Sequence, residues 1–246
     1  MAKDDLDRRE RLRRALQHTP GPGPAFPCSY LPDRQARHQT LLAADLPPGL
    51  YHDLMDLNFR RLGDLVYRPV CDACSACRQL RVPVRSFAPS RAQRRCLARN
   101  ADVVAATAEP VLTDEKADLY RRYLAGRHDG QMDGSPDELE RFLYAGTART
   151  VETCYRLAGR LVAVGIADLE PRALSAVYCY FDPDLPGRGL GVLNVLALIG
   201  EARARDLPWV YLGYFVAGSR TMAYKAGYRP CEALTPEGAW EPPARG

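Results

Sequence analysis

Ala176-Val177-Tyr178-Cys179-Tyr180-Phe181-Asp182-Pro183-Asp184-Leu185-Pro186-Gly187-Arg188-Gly189-Leu190-Gly191 is the stretch whose reading decides the fold. Its first six residues are β-branched, aromatic and apolar, the mark of a strand, expected over 174–181. Two more strands are expected before it, over 150–157 and 161–169. They are joined at Ala158-Gly159-Arg160, a hairpin signal. After the strand comes a Pro/Gly turn, then three glycines in five residues. A helix over 192–205 follows, then a strand over 209–214, a short helix near 219–225 and a closing strand at Tyr228. The order is three strands, a glycine loop, then α, β, α, β. Glycines let backbone N–H groups approach phosphate, and the following helix N-terminus adds positive potential. Alone, such a loop is as often a plain turn.

Upstream, residues 4–17 are highly charged and form a short helix or a disordered arm. Thr19 to Pro27 is a Pro/Gly linker with no regular structure expected. Residues 47–62 read as one helix, because Leu50, Leu54 and Leu57 share a face and Gly63 ends it. A strand is expected at 80–84. Ser90 is the N-cap of a helix that ends near Asn100. A strand near 103–107 and a helix through Tyr120, Tyr123 and Leu124 come next. Ser135-Pro136-Asp137-Glu138 carries an N-cap, Pro at N1 and Glu at N3, a helix start. Composition shifts near residue 100. The chain divides into a charged arm and linker (1–27), an N-terminal unit with cysteines (28–100) and a C-terminal unit (101–246).

Charge is uneven. The first 100 residues hold 18 Lys+Arg against 10 Asp+Glu, a balance of +8; the remainder holds 16 against 20, or −4. Arg78 to Arg99 contains seven arginines and no acid, which reads as a surface for a polyanion or as a solvated face. Of 34 basic residues 31 are Arg, which suits bidentate phosphate contacts, although genomic codon bias also produces it. No stretch approaches the roughly 18 apolar residues of a membrane span. The charged N-terminus lacks the apolar core of a signal peptide, so a cytoplasmic protein is expected. Cysteines there are thiols or ligands rather than disulfides. Cys71, Cys74 and Cys77 stand at C-x2-C-x2-C, a spacing that lets a turn aim successive sulfurs at one point. Arg81 stands where a ferredoxin run would place its fourth Cys, so Cys28 would have to complete a four-sulfur site. The other reading is a turn with buried thiols.

The order in the C-terminal unit resembles the GNAT acyltransferase fold, in which a splayed strand and the loop-helix start receive the acyl donor. The expected class is α/β: a GNAT-like fold with a mixed central sheet, plus a smaller N-terminal cysteine-containing α/β region. More specifically, the chain resembles the aminoacyl-tRNA–protein transferase family. The landmarks are Cys28-Ser29-Tyr30-Leu31-Pro32, Phe59-Arg60-Arg61-Leu62-Gly63, Tyr67-Arg68-Pro69-Val70-Cys71 and Cys77-Arg78-Gln79-Leu80-Arg81-Val82-Pro83-Val84. They continue with Ala176 to Asp184, Leu190-Gly191-Val192, Tyr211-Leu212-Gly213-Tyr214 and Met222-Ala223-Tyr224-Lys225-Ala226-Gly227-Tyr228-Arg229-Pro230. The short length and Ser75-Ala76-Cys77, where the longer arginyl-transferring enzymes carry adjacent cysteines, resemble the bacterial leucyl branch, the aspartate/glutamate leucyltransferases.

The resemblance implies transfer of leucine from Leu-tRNA to the α-amino group of proteins with N-terminal Asp or Glu, which marks them for degradation. Arginyl transfer, or acetyl transfer from acetyl-coenzyme A, is the alternative. An aminoacyl ester is already activated, so no cofactor is required; the resemblance adds an iron–sulfur cluster or zinc at Cys28, Cys71, Cys74 and Cys77. Arg91, Arg94, Arg95 and Arg99 are the candidates for tRNA phosphates, and Gly187, Arg188, Gly189 and Gly191 for the donor's ester end. Asp182 binds the acceptor ammonium or takes its proton, or else caps the turn before Pro183. Tyr178 and Tyr214 orient the ester or wall the pocket. Lys225, Arg229 and Arg81 are the candidates for the acceptor's carboxylate. None of His18, His38, His52 and His128 falls in a landmark, so no histidine triad is expected. The oligomeric state is left open.

Overall fold

A computed structural model describes residues 3–43, 46–127, 134–146 and 148–243. In chain order the elements begin with α1 (Lys3–Leu16), β1 (Phe26–Pro27), β2 (Gln35–Ala36), β3 (His38–Leu42), α2 (Leu50–Met55), β4 (Arg60–Leu62), β5 (Leu65–Pro69) and β6 (Arg78–Pro83). They continue with α3 (Arg91–Arg99), β7 (Val103–Ala108), α4 (Asp114–Arg127), α5 (Pro136–Leu139), β8 (Thr150–Leu157), β9 (Arg160–Glu170) and β10 (Ala173–Phe181). The last are α6 (Leu190–Ala204), β11 (Trp209–Phe215), α7 (Arg220–Ala223), β12 (Glu232–Leu234) and β13 (Trp240–Glu241). Among the described residues no helix is long and apolar enough to cross a membrane.

Eight strands form one mixed sheet in the order β13-β12-β6-β11-β10-β9-β8-β7, the GNAT-like arrangement expected. Beside it lie a three-stranded sheet, β3-β5-β4, and the β1-β2 ribbon. β9 is almost wholly buried, which explains its unbroken apolar run. Leu161, Val164 and Ile166 pack with Leu119, Tyr120 and Leu124 of α4. Val162 and Ala163 pack with Leu190 and Leu193 of α6. Burying one such aliphatic chain stabilises the fold by about 1.5–3 kcal/mol.

β10 and β11 run parallel, with α6 as their crossover. Their register covers only Ala173↔Trp209, Leu174↔Val210 and Ser175↔Tyr211. Beyond it β10 continues to Phe181 and β11 to Phe215, so the two strands splay. Both are bulged where they part: β10 between Ala176 and Tyr178, β11 between Tyr211 and Gly213. Bulges bend a strand and re-aim its side chains, and Gly213 takes φ 73° to do so.

Several expectations change. The helix predicted over 47–62 stops at Met55. Asn58 adopts φ 69°, its N–H donates to the Met55 carbonyl, and the Phe59 N–H donates to the Leu54 carbonyl. That is a left-handed helix stop, and it frees residues 60–62 to become β4. The closing strand begins at Glu232 rather than at Tyr228. β6, from the first hundred residues, lies between β12 and β11, so the large sheet crosses residue 100. The charged arm is helix α1, and the linker contributes β1. Ser90 caps α3 as expected, in a full capping box with Gln93.

The small sheet docks on β9 through one ion pair. Arg61 Nε and Nη2 donate to Asp168 at 2.9 and 2.6 Å, with both side chains fully buried. Thr150 Oγ1 donates to the same carboxylate at 2.8 Å. Arg61→Met would leave Asp168 buried and unpaired, a change that costs about 3–5 kcal/mol. Urea unfolding of this variant should show that loss, and a second change, Asp168→Leu, should restore part of it.

Candidate active site

Successive residues of a strand face opposite ways. Arg61 therefore anchors β4 while Arg60 enters the splay. Arg60 Nη2 donates to the carbonyls of Ala176 and Val177 at 3.3 and 3.2 Å, on the β10 bulge. Its guanidinium lies 5.8 Å from the centre of the Tyr214 ring. A side chain on Gly213 would begin 2.1 Å from Arg60 Nη1, so glycine is required there twice over, by contact and by φ. Lys225 reaches the same place from the segment after α7. It is buried, and its Nζ donates to the Tyr214 carbonyl at 2.7 Å. Burial, then the Arg60 charge, pushes the Lys225 ammonium well below the usual lysine range. Among the described residues no carboxylate lies in ion-pair reach of Arg60 or Lys225.

The glycine loop begins where β10 ends. Gly189 takes φ 68° and precedes α6, whose first turn carries no acid and no side-chain cap. Helix α3 packs directly against this loop. Asn100 Nδ2 donates to the Arg188 carbonyl at 2.8 Å, and the Cys96 thiol lies 3.5 Å from the Gly189 carbonyl. Gln93, Cys96 and Asn100 face inward, which leaves Arg91, Arg94, Arg95 and Arg99 exposed beside the loop. None of the four has an acidic partner among the described residues. The site is thus a splay with a phosphate-suited flank on one side and, inside, the half-buried Arg60 guanidinium and the buried Lys225 amine, neither with a carboxylate partner among the described residues.

Other sequence candidates fall elsewhere. Arg188 turns away from the loop and is held by Asp102 at 2.5 and 3.0 Å, so its guanidinium does not face a donor. Arg81 lies stacked between Trp209 and Trp240, 3.7 and 4.0 Å from their ring centres, and donates to Glu232 at 2.9 Å. Arg229 is exposed and donates to the Ala226 carbonyl at 3.1 Å. Of the three cations expected at the acceptor, only Lys225 reaches the splay. The Tyr214 hydroxyl is occupied by the carbonyls of Asn58 and Tyr67, at 2.9 and 3.2 Å. Tyr178 stands edge-on to Tyr120 and Tyr123 of α4. His52 is buried, His128 lies outside the described residues. Arg60 was missed because its segment read as helix. A strand reading of Phe59-Arg60-Arg61-Leu62, signalled by Asn58 as a helix stop, would have separated the two arginines.

Cys28, Cys71, Cys74 and Cys77 do gather, lining one cleft of about 440 Å³ with Tyr30 and Asn58. Burial pushes the Cys77 thiol up to about 12, and the other three cysteines add to the shift. Soft thiolates suit zinc or an iron–sulfur cluster. Yet among the described residues no three His, Cys, Asp or Glu side chains are grouped to hold one ion. The donors fit such a group in chemistry but not in placement.

Asp182 is fully buried and accepts from Arg122 Nη1 at 3.1 Å, from Arg160 and from the Asp184 N–H at 3.1 Å. Burial raises its carboxyl, but the Asp184 N–H, Arg122 and Arg160 outweigh it and hold it below the usual aspartate range. A carboxylate so held is a turn anchor and a poor base, as its alternative reading supposed. A depressed folded value contributes stability above the unfolded value of about 3.9. That contribution disappears as pH falls through the folded value. Asp182→Asn should therefore unfold earlier than the parent at pH 7, with the gap closing below about pH 3.9. Its pH–rate profile should keep the parent's shape.

The comparisons with known proteins give the family. Residues 26–95 match the family model described as arginine-tRNA-protein transferase, N terminus, and residues 115–235 match its C-terminus counterpart. A protein of Pseudomonas putida (strain W619) named aspartate/glutamate leucyltransferase is 46% identical over 216 residues, covering 84% of this chain and 89% of that one. One of the same name from Shewanella putrefaciens is 41% identical, covering 88% and 92%. Among solved structures, the L-PGS of Bacillus licheniformis aligns with TM-score 0.45 at 13% identity, over 73% of this chain and 56% of that one. The strand order and the splay define the fold here. With both halves matched and most of each relative covered, the chain belongs to the aminoacyl-tRNA–protein transferase family, in its bacterial aspartate/glutamate leucyltransferase branch.

Proposed function

We propose that this protein transfers leucine from Leu-tRNA to the α-amino group of proteins that begin with Asp or Glu, marking them for degradation. The observation that carries the reading is the splay itself, open between an arginine-covered loop-helix flank and the half-buried Arg60 and buried Lys225, which lack a carboxylate partner among the described residues. The first suits a nucleic-acid acyl donor; the second suits an acidic acceptor. The reaction is ester aminolysis. The acceptor amine has an ordinary pKa of about 7.7–8.0, so a neutral fraction exists at neutral pH. Its nitrogen attacks the ester carbonyl, the C–N bond forms, the C–O bond to the terminal ribose breaks, and a proton passes from nitrogen to that oxygen.

The chain's task is positioning and charge stabilisation. We assign Gly187, Gly189 and Gly191 to the donor's ester end. Arg91, Arg94, Arg95 and Arg99 take tRNA phosphates, and Lys225 supplies positive charge at the acceptor. Val177, passed over in the β10–β9 register, offers its N–H to the ester carbonyl. No step passes through a metal, and the reaction places the protein in the cytoplasm, where charged tRNA is made.

A transfer assay with Leu-tRNA and Arg-tRNA on peptides beginning Asp, Glu, Lys or Arg tests this directly. Leucine should appear on the Asp and Glu peptides alone; arginine transfer without leucine transfer would overturn the donor assignment. Leu-tRNA affinity should fall with salt at a log–log slope of roughly −0.7 to −0.9 per phosphate contact. Replacing Arg91 and Arg95 by Ala should flatten that slope by about two contacts' worth. Cys74→Ser, purified without metal, should keep full transfer activity.

A further inference from the structure

Resting on the transfer reading above, we propose that Arg60 determines acceptor specificity: its guanidinium receives the side-chain carboxylate of the N-terminal Asp or Glu inside the splay. Three other cations set into the fold are paired with acids, whereas Arg60, which is half-buried, is not. Arg61 has Asp168, Arg9 has Asp56, and Lys116 has Glu152. Arg60 has only two carbonyls, and its Nε and Nη1 hydrogens have no protein acceptor among the described residues. The side chains near it include the phenols of Tyr67, Tyr51, Tyr214 and Tyr30.

Lys225 adds a second cation about the same Tyr214. A half-buried guanidinium beside the buried Lys225 amine, with no carboxylate partner among the described residues, favours a ligand that brings the negative charge. Room for the guanidinium exists because residue 213 has no side chain.

The ligand's class follows from hydrogen-bond polarity. Asp and Asn have nearly the same shape, as do Glu and Gln. A guanidinium donates only, so both carboxylate oxygens suit it, whereas the amide nitrogen of Asn or Gln would meet donor with donor. A fixed charge on the β10 bulge would also hold the acceptor's side chain close to where the donor's ester is expected, which places the α-amine near the ester carbon.

Two measurements test this. In the first, kcat/KM is compared for peptides beginning Asp, Glu and Asn, using the parent, Arg60→Lys and Arg60→Gln. Arg60→Gln should lose about ten- to a hundredfold on Asp and Glu and little on Asn, since a charge-assisted contact carries that much. Arg60→Lys should retain part of the preference, and Kd for Leu-tRNA should stay within about twofold. A folded Arg60→Gln that keeps the parent's Asp-over-Asn ratio overturns the proposal. So does one that loses Leu-tRNA affinity, which would put Arg60 on the donor.

The second uses the parent protein alone, in case the variants do not fold. Phenylglyoxal labelling of Arg60 is followed by mass spectrometry. An Asp-peptide with its amine acetylated should protect Arg60, and the Asn analogue should not; equal labelling with both overturns the proposal. This readout needs no transfer. A parent that moves no leucine yet shows Asp-specific protection would fail the donor reading and keep the assignment of Arg60.

Discussion

The Arg61–Asp168 pair is the contact on which the site's geometry depends. It is buried on both sides and carries two direct hydrogen bonds. Hydrophobic contact between the small sheet and β9 would tolerate sliding; a two-point guanidinium–carboxylate contact does not. With Arg61 fixed, strand alternation fixes Arg60 in the splay. Glu170, two residues on from Asp168, extends the dock by accepting from the Gly49 and His52 N–H groups at the start of α2. One end of β9 thus holds both the strand that supplies Arg60 and the helix that precedes it.

From there the sheet does the rest. β10 and β11 pair for three residues and then diverge, each with a bulge at the parting. A continuous parallel ladder would have closed the splay with backbone hydrogen bonds and left no opening. The β10 bulge also presents the Ala176 and Val177 carbonyls that steady Arg60. The β11 bulge contains Gly213, which leaves space for it. Opening and cation are therefore consequences of the same local departures from regular strand geometry.

Much of this was legible in the residues, and the misses have physical causes. The three strands before the glycine loop were readable because turn residues separate strong β formers. The α3 boundary was readable because Ser90 and Gln93 form a local cap whose partners are three residues apart. β4 was not, because Leu50, Leu54 and Leu57 satisfy a helical period, and the break is made by backbone geometry at Asn58, which that pattern does not show. Arg81 looked like a pocket residue because nothing in its own segment reveals Trp209, Trp240 and Glu232, which arrive from more than a hundred residues away. Asp182 showed both its candidate roles in sequence; the two arginines that hold it, Arg122 and Arg160, come from other elements and were not visible there. Three of the cysteines share a turn and so were legible as neighbours, whereas the placement of Cys28 beside the same cleft depends on tertiary structure.

The uneven charge along the chain now has a physical account. Part of the basic excess of the first hundred residues is matched across the fold by acids of the remainder: Arg61 by Asp168, Arg81 by Glu232 and Arg85 by Asp206. Such pairs add specificity to docking, and the buried ones resist separation more than the exposed Arg85 pair does. Once they are set aside, cations without acids remain in several places; Arg68, Arg78 and Arg229, for example, donate to Gln39 or to carbonyls. Two groups bear on the site: the outer face of α3, beside the glycine loop, and Arg60 with Lys225 in the splay. A solvated basic surface would leave its unpaired charges on the outside only. An uncompensated charge inside, at the one place where the central sheet parts, is better explained by a ligand that carries the missing negative charge.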